Sequence, residues 1–321
     1  MHKYVFGPVP SKRLGRSLGI DLTPQKTCTL NCRYCQISAE KNLALKRTTF
    51  CPPGEVIKEL EKVLSQIEPP DWITFSGTGE PTLHIDLGFL IKSIKNLNIA
   101  PVCVITNGTL LSREEVRADL MLADRVLPTL CSVFPETFIK IHRPLAGIEP
   151  EEVLEGLVAF SREYQGILEI EIVDCPGLND SDAEISGIRK FLECLPRVHS
   201  IYLNTAVRPP QDVSIRSATR EEIFIFKEKL GKAIPVTTVF DPGDLPSPTA
   251  VETFSKPRKA KISPDEVFSL LLRHPCTKDQ IIIALGGEIS EISNLLEELN
   301  MQKRIKKEAN GIWVPICSSV F

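Results

Sequence analysis

The sequence predicts an α/β fold, with parallel strands covered by helices, followed by a small helical domain. Three observations predict it. Apolar runs alternate with amphipathic segments about six times between residues 18 and 231, which specifies parallel strands joined by crossover helices. The residues with unusual chemistry fall just after the strands, where such folds place their sites. Beyond residue 241 the periodic pattern gives way to a stretch rich in Pro, Ser and basic residues, the composition of a linker.

In chain order, residues 6–16 mix Gly, Pro and the basic residues Lys12, Arg13 and Arg16, and read as a loop. Residues 18–22 are apolar enough for a buried strand, and 55–67 carry apolar residues at helical spacing. Strands follow at 72–76, 102–106, 125–130, 168–173 and 200–204, with helices at 87–97, 113–122, 151–164, 182–194 and 220–231. No G-x-G-x-x-G opens a helix after the first strand, which disfavours a dinucleotide-binding fold. The main domain spans 1–240, the linker 241–262 and the small domain 263–321. Within the last, Ser263-Pro264-Asp265-Glu266 starts a helix with Pro at the first position. Thr277-Lys278-Asp279-Gln280 fits a capping box, a third helix covers 289–301, and Asn310-Gly311 marks a hairpin.

Composition bounds the rest. The 321 residues are 42% hydrophobic with a net charge of −3, so no global field recruits nucleic acid or an anionic membrane. Ten cysteines, unevenly spaced and without a secretory leader, suggest a reducing interior and a cytoplasmic location. No stretch reaches the roughly 18 apolar residues of a membrane span.

The most informative stretch is Cys28-Thr29-Leu30-Asn31-Cys32-Arg33-Tyr34-Cys35. Thiolates ligate iron–sulfur clusters, normally four at a time; here three lie together. A structural zinc site would bring two Cys/His pairs, a disulfide framework an oxidising compartment, and a bacterial-type ferredoxin run a further Cys followed by Pro. A second motif, Ser76-Gly77-Thr78-Gly79-Glu80-Pro81-Thr82, follows the second strand. Its glycines permit close backbone approach, and the Glu80 carboxylate can accept hydrogen bonds from an ammonium group.

Together these motifs resemble the radical S-adenosylmethionine (SAM) superfamily, over roughly residues 4 to 240. With the run from Phe6 to Gly19 they are similar to the branch of wyosine-type, tRNA 4-demethylwyosine synthase-like Fe–S oxidoreductases. The resemblance implies a partial (β/α)6 barrel and a [4Fe–4S] cluster held by Cys28, Cys32 and Cys35, with an open iron that chelates SAM. It implies reductive cleavage of SAM to a 5′-deoxyadenosyl radical, and an electron donor such as a flavodoxin or ferredoxin. It places SAM against Tyr34, Gly77, Thr78, Gly79 and Glu80, against Thr106 and Asn107 after the third strand, and in the loop bearing Asn179. The chain departs from the pattern where Cys131 replaces a common Asp, and where no Cys precedes Cys28 to build the second cluster of the wyosine enzymes. Lys12, Arg13, Arg16 and Arg208 are candidate contacts to substrate; Arg208 suits a carboxylate or phosphate.

The small domain resembles a winged helix-turn-helix, but its charge argues against reading DNA. From residue 262 onward six basic residues face eight acidic ones, a net of −2, and phosphate neutralisation supplies most nucleic-acid affinity. A peptide, protein or dimer contact suits it better, although the basic residues of the linker and of 303–307 could touch an RNA backbone. Three readings of function stay open: modification of a tRNA or other nucleoside, radical modification of a peptide, and a non-catalytic Fe–S electron carrier.

Overall fold

A computed structural model describes residues 3–23, 27–37, 42–241 and 262–316; most of the expected linker and Cys317 lie outside the described residues. The alternating runs form an eight-stranded sheet of β1 (Val5–Ser11), β2 (Gly15–Ile20), β5 (Trp72–Phe75), β6 (Val102–Thr106), β7 (Arg125–Pro128), β8 (Ile167–Asp174), β9 (Ser200–Thr205) and β10 (Val236–Thr238), in that order across the sheet. All neighbours from β2 to β10 are parallel. The sheet curls into a half-barrel, the partial barrel that the sequence leads one to expect. Two short strands, β3 (Thr27–Cys28) and β4 (Asn42–Leu43), pair separately above it.

Two strands of the main sheet were not expected. β1 occupies residues read as loop and pairs antiparallel with β2, from Val5↔Ile20 to Ser11↔Gly15. Pro8 and Pro10 disguise it, yet an edge strand tolerates prolines because one row of its backbone groups needs no ladder partner. β10 is three residues long, too short to register as a periodic run.

Helices α1 (Pro53–Leu64), α2 (Leu87–Lys95), α3 (Glu114–Leu120), α4 (Pro135–His142), α5 (Pro150–Glu163), α6 (Asp182–Glu193) and α7 (Arg220–Leu230) bury their apolar stripes against the sheet. In α1 that stripe is Val56, Leu60 and Val63; burying three such side chains contributes roughly 5–9 kcal/mol before chain entropy is counted. Ser181 and Thr219 cap α6 and α7 by accepting from the N–H three residues on. The eight-residue α4 was missed, and Arg143 ends it in the left-handed region at φ 44°.

Alternation along β8 sends Leu168, Ile170 and Ile172 to the helices and Glu169 and Glu171 to the concave face. There Arg125 pairs with Glu169, and Arg13 pairs with Glu171 at 2.9 Å while stacking 4.4 Å from the Tyr202 ring. Ion pairs thus line the concave face along β8 at Glu169 and Glu171.

The C-terminal part contains α8 (Pro264–Arg273), β11 (Cys276–Thr277), α9 (Lys278–Leu285), α10 (Ile289–Met301), β12 (Ile305–Lys307) and β13 (Ile312–Pro315). Both anticipated helix starts are capping boxes, Ser263 with Glu266 and Thr277 with Gln280. β11 adds a third strand beside the hairpin. Its core, Val267, Leu270, Ile281, Ile292 and Leu296 among others, includes Phe6 and Val9 of β1. The small unit therefore covers the edge of the sheet that would otherwise present unpaired backbone.

Candidate active site at the C-terminal ends of the strands

The cysteine loop has little regular structure, so its backbone groups need partners elsewhere. The end of α4 and the residues after it supply some: Asn31 donates its N–H to the His142 carbonyl at 2.8 Å, Arg33 to Ile141 at 2.9 Å, and Leu145 to Thr29 at 3.0 Å. The loop after β9 supplies others. Gln211 donates from its backbone to the Cys35 carbonyl at 2.9 Å and from Nε2 to the Cys32 carbonyl at 2.6 Å. Asp212 takes the Arg33 guanidinium at 2.9 Å and that of Arg143 at 2.6 Å. Hydrogen bonds from Ser214, then Arg33, hold the Asp212 carboxyl well below the usual range.

The three thiols lie within electrostatic reach of one another. Burial pushes the Cys28 thiol up to about 12, with Glu80 and Cys35 adding to it. Burial raises Cys32 as well, and Cys28 and Cys35 raise it further. The Cys28 sulfur accepts from the Leu30 N–H at 3.5 Å and from Asn107 Nδ2 at 3.4 Å. Cys32 Sγ lies 3.1 Å from His142 Nδ1. The His142 ring is enclosed by Tyr34 and Phe138, and burial drives its pKa down to about 3, which leaves the imidazole neutral.

The glycine loop rests directly on this one. Glu80 donates its N–H to the Thr27 carbonyl at 2.9 Å. A Cβ on Gly79 would lie 2.0 Å from that same oxygen, and one on Gly77, at φ +148°, 2.3 Å from Asp21. Thr78 donates both its N–H and its hydroxyl to Asp21 Oδ2 at 3.2 and 3.0 Å.

Glu80 is buried and heavily engaged. Its Oε1 accepts from the Thr82 N–H at 3.1 Å and from the Thr82 and Thr106 hydroxyls at 2.6 Å, while Oε2 accepts from the Asn107 N–H at 2.8 Å. Burial raises its pKa against the pull of those donors. Glu80 therefore braces the ends of β5 and β6, with Oε2 the less occupied oxygen. Asn107 binds Glu80 through its backbone and Cys28 through its side chain, which puts both motifs at one end of the barrel.

The other candidates separate into groups. Asn179 spends its side chain on backbone, donating to the Cys131 and Val173 carbonyls at 2.8 and 3.0 Å and accepting from the Cys175 N–H at 2.8 Å. Tyr34 packs with Cys131, Cys175 and Leu178. Arg208 stands beside the cysteine loop, donating to Gln36 Oε1 at 2.9 Å, to the Pro275 carbonyl at 2.7 Å and to His274 Nε2 at 2.9 Å. Lys12, Arg13 and Arg16 are not brought there. Lys12 donates to the Val239 carbonyl at 2.6 Å, Arg13 is spent on Glu171, and half-buried Arg16 reaches the Pro69 carbonyl at 3.4 Å near the start of β5.

Cys51 shares His84 with Asp86 in an arrangement that looks like a nucleophilic triad. It is not one: His84 Nδ1 accepts the Asp86 N–H at 3.2 Å, so Nε2 carries the proton and cannot take one from the thiol 3.4 Å away. Sequence reading missed Asp21, His142, Gln211, Asp212 and Arg273, which no local motif or spacing marks.

Three thiols on one loop are the donor type that iron–sulfur clusters take. Among the described residues no three His, Cys, Asp or Glu side chains are close enough to hold a single metal. A cubane takes each thiolate on a different iron, and Cys28, Cys32 and Cys35 are three partly buried free thiols on one loop.

Fold and motifs together define a radical SAM protein, and the family model described as the Radical SAM superfamily matches residues 22–186. The chain belongs to that superfamily, whose enzymes use SAM and a [4Fe–4S] cluster. It is similar to UPF0026 protein MJ1312 of Methanocaldococcus jannaschii, 31% identical over 95% of this chain and 93% of that protein. It is also 36% identical to a Brachyspira hyodysenteriae protein called GTPase Obg, over 97% of this chain but only 44% of that protein. The chain thus spans less than half the length of that relative. A solved structure of TYW1 with a lysine-pyruvate adduct bound shares the fold, with a TM-score of 0.51 at 20% identity over 68% of this chain and 74% of that one. No helix among the described residues is long and apolar enough to cross a membrane.

Proposed function

We propose that Cys28, Cys32 and Cys35 ligate the [4Fe–4S] cluster, and that SAM lies between them and the loop of Gly77, Thr78, Gly79 and Glu80. The observation that carries this reading is Asn107, which joins Glu80 at 2.8 Å to the Cys28 sulfur at 3.4 Å. When bound, the cluster supplies the electron that cleaves SAM to methionine and a 5′-deoxyadenosyl radical, which takes a hydrogen atom from substrate. With SAM bound, the less occupied Oε2 of Glu80 would accept a hydrogen bond from its ammonium group. Thr106, Asn107 and Asn179 act mainly by fixing the loops around the cofactor, and Tyr34 flanks it. The 206–215 loop and the C-terminal unit close over the cysteine loop and keep water and stray thiols from the radical.

The substrate we favour is a nucleoside within RNA, on the similarity of the chain to wyosine-type enzymes. Arg208, whose three partners among the described residues are uncharged, is the candidate basic residue that stands beside the cysteines, and it serves a phosphate there. We also assign 263–316 to a winged-helix-like module; acidic Glu291, Glu297 and Glu298 along α10 argue against its insertion into a DNA groove. Flavodoxin or ferredoxin serves as reductant.

The test is anaerobic reconstitution. Wild-type protein should hold about four irons and form deoxyadenosine from SAM on reduction, and Cys32→Ala should abolish both. Retained activity in that variant overturns the ligand assignment, and a loaded, reduced protein that leaves SAM intact is an electron carrier. Stimulation of deoxyadenosine formation by an RNA fraction, lost at high salt, supports the nucleoside; stimulation by a peptide fraction instead overturns it.

A further inference from the structure

His142 has no role in the reading above, yet the chain fixes it with care. Residues 141–145 run beside residues 29–33, and the His142 carbonyl accepts the Asn31 N–H at 2.8 Å. Its ring is held by Phe138 at 4.7 Å and Tyr34 at 5.8 Å between centroids. Those contacts leave Nδ1 aimed at Cys32 Sγ, 3.1 Å away.

A thiolate bound to iron has no proton to give and can only accept. A contact of that length is then a hydrogen bond only if Nδ1 carries the hydrogen. Resting on the assignment of Cys32 as a cluster ligand, we propose that His142 is a positioning residue that donates its Nδ1–H to the Cys32 sulfur and raises the reduction potential of the cluster. Reduction adds negative charge to the cluster and its sulfurs. A fixed N–H dipole on one sulfur stabilises the reduced form more than the oxidised form, and such hydrogen bonds are among the factors that set these potentials. Cys28 is served differently, by Leu30 N–H and Asn107 Nδ2 at the longer distances of 3.5 and 3.4 Å. The Cys32 contact is the shortest of the three.

The experiment compares reconstituted wild type, His142→Phe and His142→Asn by iron content and by EPR-monitored redox titration. Phe fills the space without a donor, whereas Asn can present an N–H near the position of Nδ1. All three should bind equal iron. His142→Phe should show a roughly tenfold smaller reduced-to-oxidised ratio at a fixed potential, about 59 mV lower for a one-electron couple. His142→Asn should recover most of that shift. An iron-loaded His142→Phe at the wild-type potential overturns the proposal while leaving the ligand assignment intact; a wild type that takes up no iron overturns the assignment, and this role with it. Should His142→Phe fail to load, pulsed EPR of reduced, 15N-histidine-labelled wild type decides. A nitrogen coupling that vanishes in His142→Asn supports the bond, and no coupling overturns it.

Discussion

Arg273, the last residue of α8, places its Nε 3.0 Å from Oδ2 of Asp21, the same oxygen that takes both donors of Thr78. Its Nη2 also donates to the Lys3 carbonyl at 2.8 Å, and its own carbonyl lies 3.4 Å from Gln36 Nε2. One residue of the C-terminal unit thus touches the support of the glycine loop and the end of the cysteine loop.

From this follows the first prediction. Arg273→Ala leaves the nearly buried Asp21 carboxylate without its cation, and hydrogen bonds to charged groups are worth roughly 1.5–3 kcal/mol. SAM affinity, measured by equilibrium dialysis on iron-loaded protein, should fall about tenfold with iron content unchanged, and Arg273→Lys should restore part of it. Unchanged affinity in the Ala variant would mean the C-terminal unit is docked without being coupled to the cofactor loop.

Glu80→Gln should be more harmful than its size suggests. Every partner of Glu80, on Thr82, Thr106 and Asn107, is a donor, so a side-chain amide must point its NH2 at one of them. Leaving such groups buried and unpaired costs about 1–3 kcal/mol. We expect a lower urea midpoint together with loss of SAM binding; a variant of wild-type stability would show that the carboxylate is not a brace.

Glycines in the loops should divide sharply. Gly79→Ala drives a Cβ to 2.0 Å from the Thr27 carbonyl, a rigid backbone atom beside Cys28, so both iron uptake and SAM binding should fail. Gly177 has a positive φ, +80°, which Gly79 does not, but open space around it. Gly177→Ala should cost only about 1–2 kcal/mol of backbone strain and leave deoxyadenosine formation near wild type. Equal losses in the two variants would rule out steric contact as the reason for Gly79.

The central sheet was legible because its strands are continuous apolar runs such as Val102–Thr106, separated by helices with clear apolar spacing. The cysteine and glycine loops were legible because their chemistry is local in sequence. What escaped notice is chemistry assembled from distant parts. Arg273 and Asp21 are 252 residues apart, and no periodicity links them. Arg13 looked like a substrate contact because a sequence displays its charge but not Glu171, 158 residues away, that neutralises it. β1 escaped because its prolines mimic a loop, and α4 because eight residues, with only Phe138, Ile141 and His142 buried, make a weak pattern.

Asp174 gives a prediction about pH. It ends β8 with its side chain fully buried, and among the described residues neither carboxylate oxygen has a hydrogen-bond partner. Burial, with Asp180 and Glu222 adding and Arg216 opposing, raises its pKa to about 7. In the unfolded chain the same carboxyl titrates near 3.9. Below that value both states hold the proton, and the group does not bias folding. Between about 4 and 7 the unfolded state releases its proton while the folded state keeps it, so stability falls as pH rises, by at most about 1.4 kcal/mol per unit. Above about 7 both states are ionised and the loss, roughly 4 kcal/mol at most, is complete. Asp174→Asn has no proton to lose at this position. Its urea midpoint should exceed that of wild type clearly at pH 8 and by roughly a third as much at pH 5, and a gap of equal size at both pH values would show that Asp174 is ionised in the folded protein throughout.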